Sequence, residues 1–181
     1  MKKWLFCLCI CFIQTHVFSQ HFDALNAEVL GTAQGLPDAL VTSICQDDDG
    51  FLWVGTSNGL SRYDGVDFVN FFHTADKNSI PGNFIAGIIK MRNHRLLINT
   101  RTGICIFDTH NFKTKIFLVK ASEKNFAFEN NFLSAAIDSL NDIWAGTQTC
   151  LYKFDTALHV MQLWRGFSES EYGSQLVSFV M

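Results

Sequence analysis

The chain has 181 residues, is 48% hydrophobic and 17% charged, and sets 14 Lys and Arg against 17 Asp and Glu, for a formal charge of −3. That acidic balance argues against non-specific binding to nucleic acid or to an anionic membrane, both of which call for basic surface. Two prolines and 18 phenylalanines suit sheets packed face to face.

At the start, Lys2 and Lys3 precede an apolar run, Trp4–Ile13, and then Val17-Phe18-Ser19. This order predicts a secretory signal peptide over residues 1–19, cut after Ser19. The run falls short of the roughly 20 residues a spanning helix needs, so no membrane span is expected. Cys7, Cys9 and Cys11 lie inside the run, and none follows the small residue of a lipobox. Beyond Ser19, twelve basic residues face 17 acidic ones, a charge of −5. Only Cys45, Cys105 and Cys150 remain there, an odd number on or beside predicted strands. They read as small hydrophobes rather than a disulfide framework.

Residues 20–40 form a lead-in that ends in Gly35-Leu36-Pro37-Asp38. Four short apolar runs follow: Val41–Cys45, Phe51–Thr56, Leu60–Tyr63 and Phe68–Phe72. Asp49-Gly50, Asn58-Gly59 and Asp64-Gly65 punctuate them. Asx-Gly pairs between such runs mark hairpins, because a type I′ turn needs positive φ at both central residues. The segment is a four-stranded antiparallel meander. A lone sheet of this size leaves too much apolar surface in water.

The pattern recurs. Leu52–Asp64 (LWVGTSNGLSRYD) aligns with Leu96–Asp108 (LLINTRTGICIFD) and Ile143–Asp155 (IWAGTQTCLYKFD), at offsets of 44 and 47 residues. Thr56, Thr100 and Thr147 coincide, as do Asp64, Asp108 and Asp155 and the aromatics Tyr63, Phe107 and Phe154. The first and third copies share Trp53/Trp144 and Gly55/Gly146, where the second has Leu97 and Asn99. A period in the mid-forties with four strands per unit is the signature of propeller blades. The fold class is therefore all-β, with β-propeller blades at about 41–72, 85–117 and 132–164 and a partial one at 176–181. Three blades and a first strand make an incomplete ring, since closed rings take about four to eight. The expected partners are accordingly the remaining blades of a longer protein or another copy of the chain.

In a meander the second-to-third turns share one end of the sheet with the connections between blades. Asn58, Arg101 and Gln148 fall on those turns and differ where the strands agree. They are the candidate ligand-binding residues, because loops vary while the scaffold holds them.

Other motifs resolve into scaffold. Asp47-Asp48-Asp49-Gly50 lacks the Glu that closes a calcium loop. Gly55–Gly59 lacks the Lys-Ser/Thr and helix of a phosphate cradle. His21, His73, His94, His110 and His159 show no ligand spacing, so neither metal nor cofactor is expected from the linear pattern. Ser43 and Ser178 have no nucleophile elbow, and Glu28, Glu123 and Glu129 form no visible acid pair, so no catalytic residue is assigned.

The string QDDDGFLWVGTSNGLSRYDG closely resembles the two-component regulator propeller repeat, which reads like D-x-x-G-x-[IL]-W-[IV]-G-T-x-x-G-[LI]-x-x-[YF]-[DN]. The resemblance extends from Val41 to Asp155, departing at Leu97, Asn99 and Cys150. It implies the ligand-sensing, extracytoplasmic part of a two-component sensor, periplasmic or secreted, responding to a small glycan-derived ligand. Histidine kinase activity would belong to domains of longer relatives. The alternatives are a secreted propeller adaptor without signalling output and, weakest, a propeller hydrolase or lyase.

Overall fold

The computed structural model describes residues 28–120 and 126–165. The first sheet holds β1 (Val41–Gln46), β2 (Leu52–Thr56), β3 (Gly59–Tyr63) and β4 (Phe68–Phe71). The second holds β5 (Ile85–Met91), β6 (Arg95–Thr100), β7 (Gly103–Asp108) and β8 (Thr114–Phe117). The third holds β9 (Ser134–Ile137), β10 (Ile143–Gly146), β11 (Cys150–Phe154) and β12 (Val160–Arg165). Every neighbouring pair is antiparallel and sequential, so each sheet is the meander that the turn spacing predicts. A 3-10 turn (Thr32–Gln34) and a one-turn helix, α1 (Phe126–Glu129), complete the elements among the described residues. The expected signal peptide and the partial blade at 176–181 lie outside those residues.

The sheets stack through two apolar seams, with β1 against β5 and β5 against β9. In the first seam, Trp53, Leu60 and Phe71 meet Ile85, Ile88, Leu96, Ile98, Cys105 and Phe107. Trp53 is fully buried, its ring 5.3 Å from that of Phe107 and 5.6 Å from that of Phe71. In the second seam, Leu97, Ile104 and Ile106 of the middle sheet meet Phe132, Ile143, Ala145, Tyr152 and Phe154. The middle sheet is covered on both faces, which is why Leu96-Leu97-Ile98 reads as an unbroken apolar run. The three blades thus form an arc of a propeller with no closed barrel. Over the outer face of the first sheet lies the lead-in, where buried Leu36 packs and the Asn70 amide donates to the Gly35 carbonyl at 2.8 Å.

The repeated residues hold the turns. The Thr56 and Thr100 hydroxyls donate to the carbonyls of Gly59 and Gly103, each at 2.9 Å, and Thr147 reaches Cys150 at 3.4 Å. Asp64, Asp108 and Asp155 each accept two backbone N–H groups from the turn that follows. These Asx turns stabilise the carboxylate form, so backbone hydrogen bonds pull all three pKa values down.

Candidate functional site

At one end of the arc, the β6–β7 turn and the connection from the first blade to the second enclose a cleft of about 400 Å³. His73, Pro81, Gly82, Asn83, Phe84, Arg101 and Thr102 line it, together with the apolar Ile116 and Leu118. The volume falls within the roughly 300–1,000 Å³ of small-molecule clefts.

Arg101 is exposed, and its guanidinium lies 3.6 Å from the centroid of the Phe84 ring. That stacking orients the cation while leaving its N–H groups open to a ligand. Asn83 anchors the other wall: its side-chain Oδ1 accepts the His73 N–H at 2.7 Å, and its side-chain Nδ2 donates to the Asn58 side-chain oxygen at 3.3 Å. Behind them, Nδ1 of His73 is 2.8 Å from the Ile80 carbonyl, and the Thr102 hydroxyl donates to the Pro81 carbonyl at 2.7 Å. The connection is thereby tied to the turn it faces. Of the three sequence candidates, Arg101 lines the cleft and Asn58 supports its rim through Asn83. Gln148 lies exposed on the β10–β11 turn of the third blade, away from the cleft lining. Asn83 belongs to the connection between blades that the meander already places at this end, whereas Phe84, just beyond it, carries no signal of its own in the sequence.

The opposite end of the arc gathers side chains that sequence spacing does not relate. Asp49 sits on the β1–β2 turn, His94 on the β5–β6 turn and His110 on the β7–β8 turn. Oδ2 of Asp49 is 3.3 Å from His94 Nδ1 and 3.2 Å from His110 Nε2, and the two imidazoles overlap with centroids 4.0 Å apart. Beside them, Lys90 pairs with Asp48 at 2.7 Å, and its hydrogen bond holds the Asp48 pKa down. The three donors come from two blades and can face one cation.

The cysteines stay free among the described residues, and burial pushes the Cys105 and Cys45 thiols up in pKa. A raised pKa depletes the reactive thiolate, in keeping with a packing role.

Comparison with known proteins agrees with this architecture. Residues 35–58, which include β1, β2 and the turn after them, match the family described as two component regulator propeller. The chain superposes on the extracellular domain of BT3049 from B. thetaiotaomicron, assigned to a hybrid two component system, with a TM-score of 0.66 at 22% identity. That match covers 80% of this chain and 20% of the other. The corresponding domain of BT4673, from the same organism, gives 0.56 at 24% identity over 70% of this chain and 17% of that one. Virginiamycin B lyase from Staphylococcus aureus gives 0.54 at 14% identity, over 72% and 43% of the two chains. The chain thus spans about a fifth of the sensor domains it superposes on, and likenesses this distant establish the propeller fold alone. Comparison with curated proteins finds no match. Residues 35–58 carry a two component regulator propeller repeat, and the chain around them is an incomplete β-propeller.

Proposed function

We infer that the chain is an exported propeller segment of a two-component sensor, binding a small polar ligand at the end of the arc that carries Arg101. The observation that carries this reading is the cleft itself: a stacked cation, an amide pair and apolar lining in one concavity, held by the inter-blade connection. Such a mix of apolar surface and a few oriented polar groups suits a breakdown product of a polysaccharide. Support for the sensor context comes from the matched repeat and from the likeness to two extracellular domains of B. thetaiotaomicron two component systems. Among the described residues no helix is long and apolar enough to cross a membrane. Output would then pass through other parts of a longer protein, as a change in how blades and domains pack. The role assigned to the chain is binding, not catalysis.

Calorimetric titration of the full chain with neutral and uronate-containing oligosaccharides tests the reading. A saturable ligand whose affinity falls at least about tenfold in Arg101→Ala, the effect of losing one charge-assisted hydrogen bond, is expected. Binding that Arg101→Ala leaves unchanged would move the site elsewhere on the arc. Gln148→Ala serves as the comparison, since Gln148 is not among the residues that line the cleft and its loss should be silent.

A further inference from the structure

We propose that Asp49, His94 and His110 form an inter-blade binding site for a divalent transition cation of the zinc class. The site supplies three protein donors and leaves a fourth position open.

The donor set is chemically apt. Two imidazole nitrogens and one carboxylate oxygen are ligands that zinc takes at about 2.0–2.2 Å. A tetrahedral site with such bonds has ligand-to-ligand edges of roughly 3.3 Å. The two edges from Asp49 Oδ2 measure 3.3 Å to His94 Nδ1 and 3.2 Å to His110 Nε2, and all three donor atoms lie within 4.8 Å of one another. A hard cation such as calcium would instead ask for six to eight oxygens, which this corner does not present.

Three further observations separate the arrangement from chance proximity. First, His94 Nδ1 is shielded from solvent yet makes no hydrogen bond, although Asp49 Oδ2 is close. A cation in front of both atoms would satisfy each. An unpartnered buried nitrogen is costly, and metal ligation removes the cost.

Second, each donor residue is fixed through its backbone. The Asp49 N–H donates to Asp47 Oδ1 at 3.0 Å and the His110 N–H to Asp108 Oδ1 at 2.9 Å. The His94 carbonyl accepts from both the N–H and the hydroxyl of Thr109, at 2.9 and 3.0 Å. The β5–β6 turn is thus tied to the β7–β8 turn, which holds the two rings against each other before any ion arrives.

Third, His94 adopts φ of +53°. It takes the place in the second blade that Gly50, at φ of +89°, takes in the first. Glycine enters this region freely, and any other residue at some cost; the third blade has Asn141 there at φ of +64°, so of the three equivalent turns the second alone carries an imidazole at this position.

The site joins the first blade to the second on the end of the arc opposite the Arg101 cleft. Its cation would clasp one junction of the ring, and the open position would accept water or an anionic or nitrogen donor from outside. It is independent of the ligand reading above.

Cobalt(II) tests the proposal, because its visible absorption reports coordination number. The full chain, stripped with chelator, is titrated with Co²⁺ and then challenged with Zn²⁺. One equivalent of Co²⁺ with the intense d–d absorption of a four-coordinate site, displaced by Zn²⁺, is expected. His110→Ala, which alters an exposed side chain, and Asp49→Ala should each weaken binding by more than the 10–100-fold that loss of even an outer-sphere partner costs. His159→Ala, at the exposed Asp155 pair in the third blade, should leave it unchanged. Circular dichroism checks that the variants keep their fold. On the unaltered chain, proton NMR of the Co²⁺ form should show two shifted, exchangeable imidazole N–H signals. No saturable absorption at millimolar Co²⁺ would overturn the proposal, leaving a hydrogen-bonded clasp only. So would absorption that survives both substitutions, or NMR with fewer than two such signals.

Discussion

The recurring tryptophan is set by the aspartate six residues before it. Asp47 Oδ1 accepts the N–H groups of Asp49 and Phe51, each at 3.0 Å, while Oδ2 accepts the Trp53 indole N–H at 2.7 Å. Asp138 does the same for Leu140, Asp142 and Trp144, each at 2.9 Å, and the indole bond is the leading cause of its lowered pKa. In the second blade both members change together: Met91 and Leu97 occupy these positions, and both are buried. An apolar pair leaves nothing unsatisfied, so the swap retains packing without the lock. Asp47→Ala should therefore cost about 2–3 kcal/mol, since it strands a buried indole N–H and two turn amides. In a Trp53→Phe background the same change should cost about 1 kcal/mol less, a coupling typical of residues in contact. Urea unfolding of the four proteins measures both. Acid should reveal the Asx turns in turn. The folded pKa values of Asp64, Asp108 and Asp155 are lowered, so their contribution is present above the unfolded value of about 3.9 and is lost as pH falls below it. Asp108→Asn should flatten that acid limb, read as the midpoint of thermal unfolding against pH between neutrality and the acid transition.

Between elements, the blade junction turns on how closely β1 and β2 approach β5. A Cβ built at Gly55 would lie 2.6 Å from Ile85 Cγ2 and 3.0 Å from its Cβ. Gly55→Ala should destabilise by roughly 1–3 kcal/mol through overpacking, whereas Gly65→Ala, which meets nothing within 4 Å, shows only the cost of its own φ of +103°. Comparing the two by denaturant unfolding separates the junction from the backbone. The second blade solves the same contact differently. Asn99 stands at the glycine position, and its buried amide donates to the Phe132 carbonyl at 3.1 Å, while Gly87 opposite gives it room. The departure visible in the sequence at Asn99 is thus an inter-blade hydrogen bond. This locates what sequence can report. The hairpins, the Thr and Asp turn bonds and the Trp positions were legible because their partners lie within a few residues. The Asp49–His94–His110 group was not, since its members are up to 61 residues apart and only the stacking of two blades brings their turns together. Of the cleft lining, Arg101 falls on a turn and Asn83 on a connection that the meander places at this end, but which side chains of that connection line the cleft has no repeat to compare.

For the molecule as a whole, the asymmetry between the first blade and the third decides its behaviour in solution. Trp53 faces the second blade and is fully buried, whereas among the described residues no further sheet packs on the equivalent face of the third blade. There Trp144 stacks on Trp164, with centroids 5.3 Å apart and planes 15° from parallel, and Lys153 lies 5.2 Å from the Trp144 ring. Trp164 is 43% exposed. By the logic of the repeat, this surface fits the inner face of another blade, as the surface around Trp53 fits Ile85, Ile88 and Phe107. Aromatic surface of this kind drives association when it is left in water. The full chain should therefore self-associate in light scattering as its concentration rises, with a blue shift of tryptophan emission. Trp164→Lys should suppress both while the Trp53 junction stays intact. Should the chain remain monomeric and melt cooperatively at every concentration, the Trp144–Trp164 stack would be a finished surface, sealed by its own aromatic pair and the lysine beside it. Association that Trp164→Lys leaves untouched would instead place the sticky surface at the first blade, where Ile44 is 64% exposed and Val41 41%.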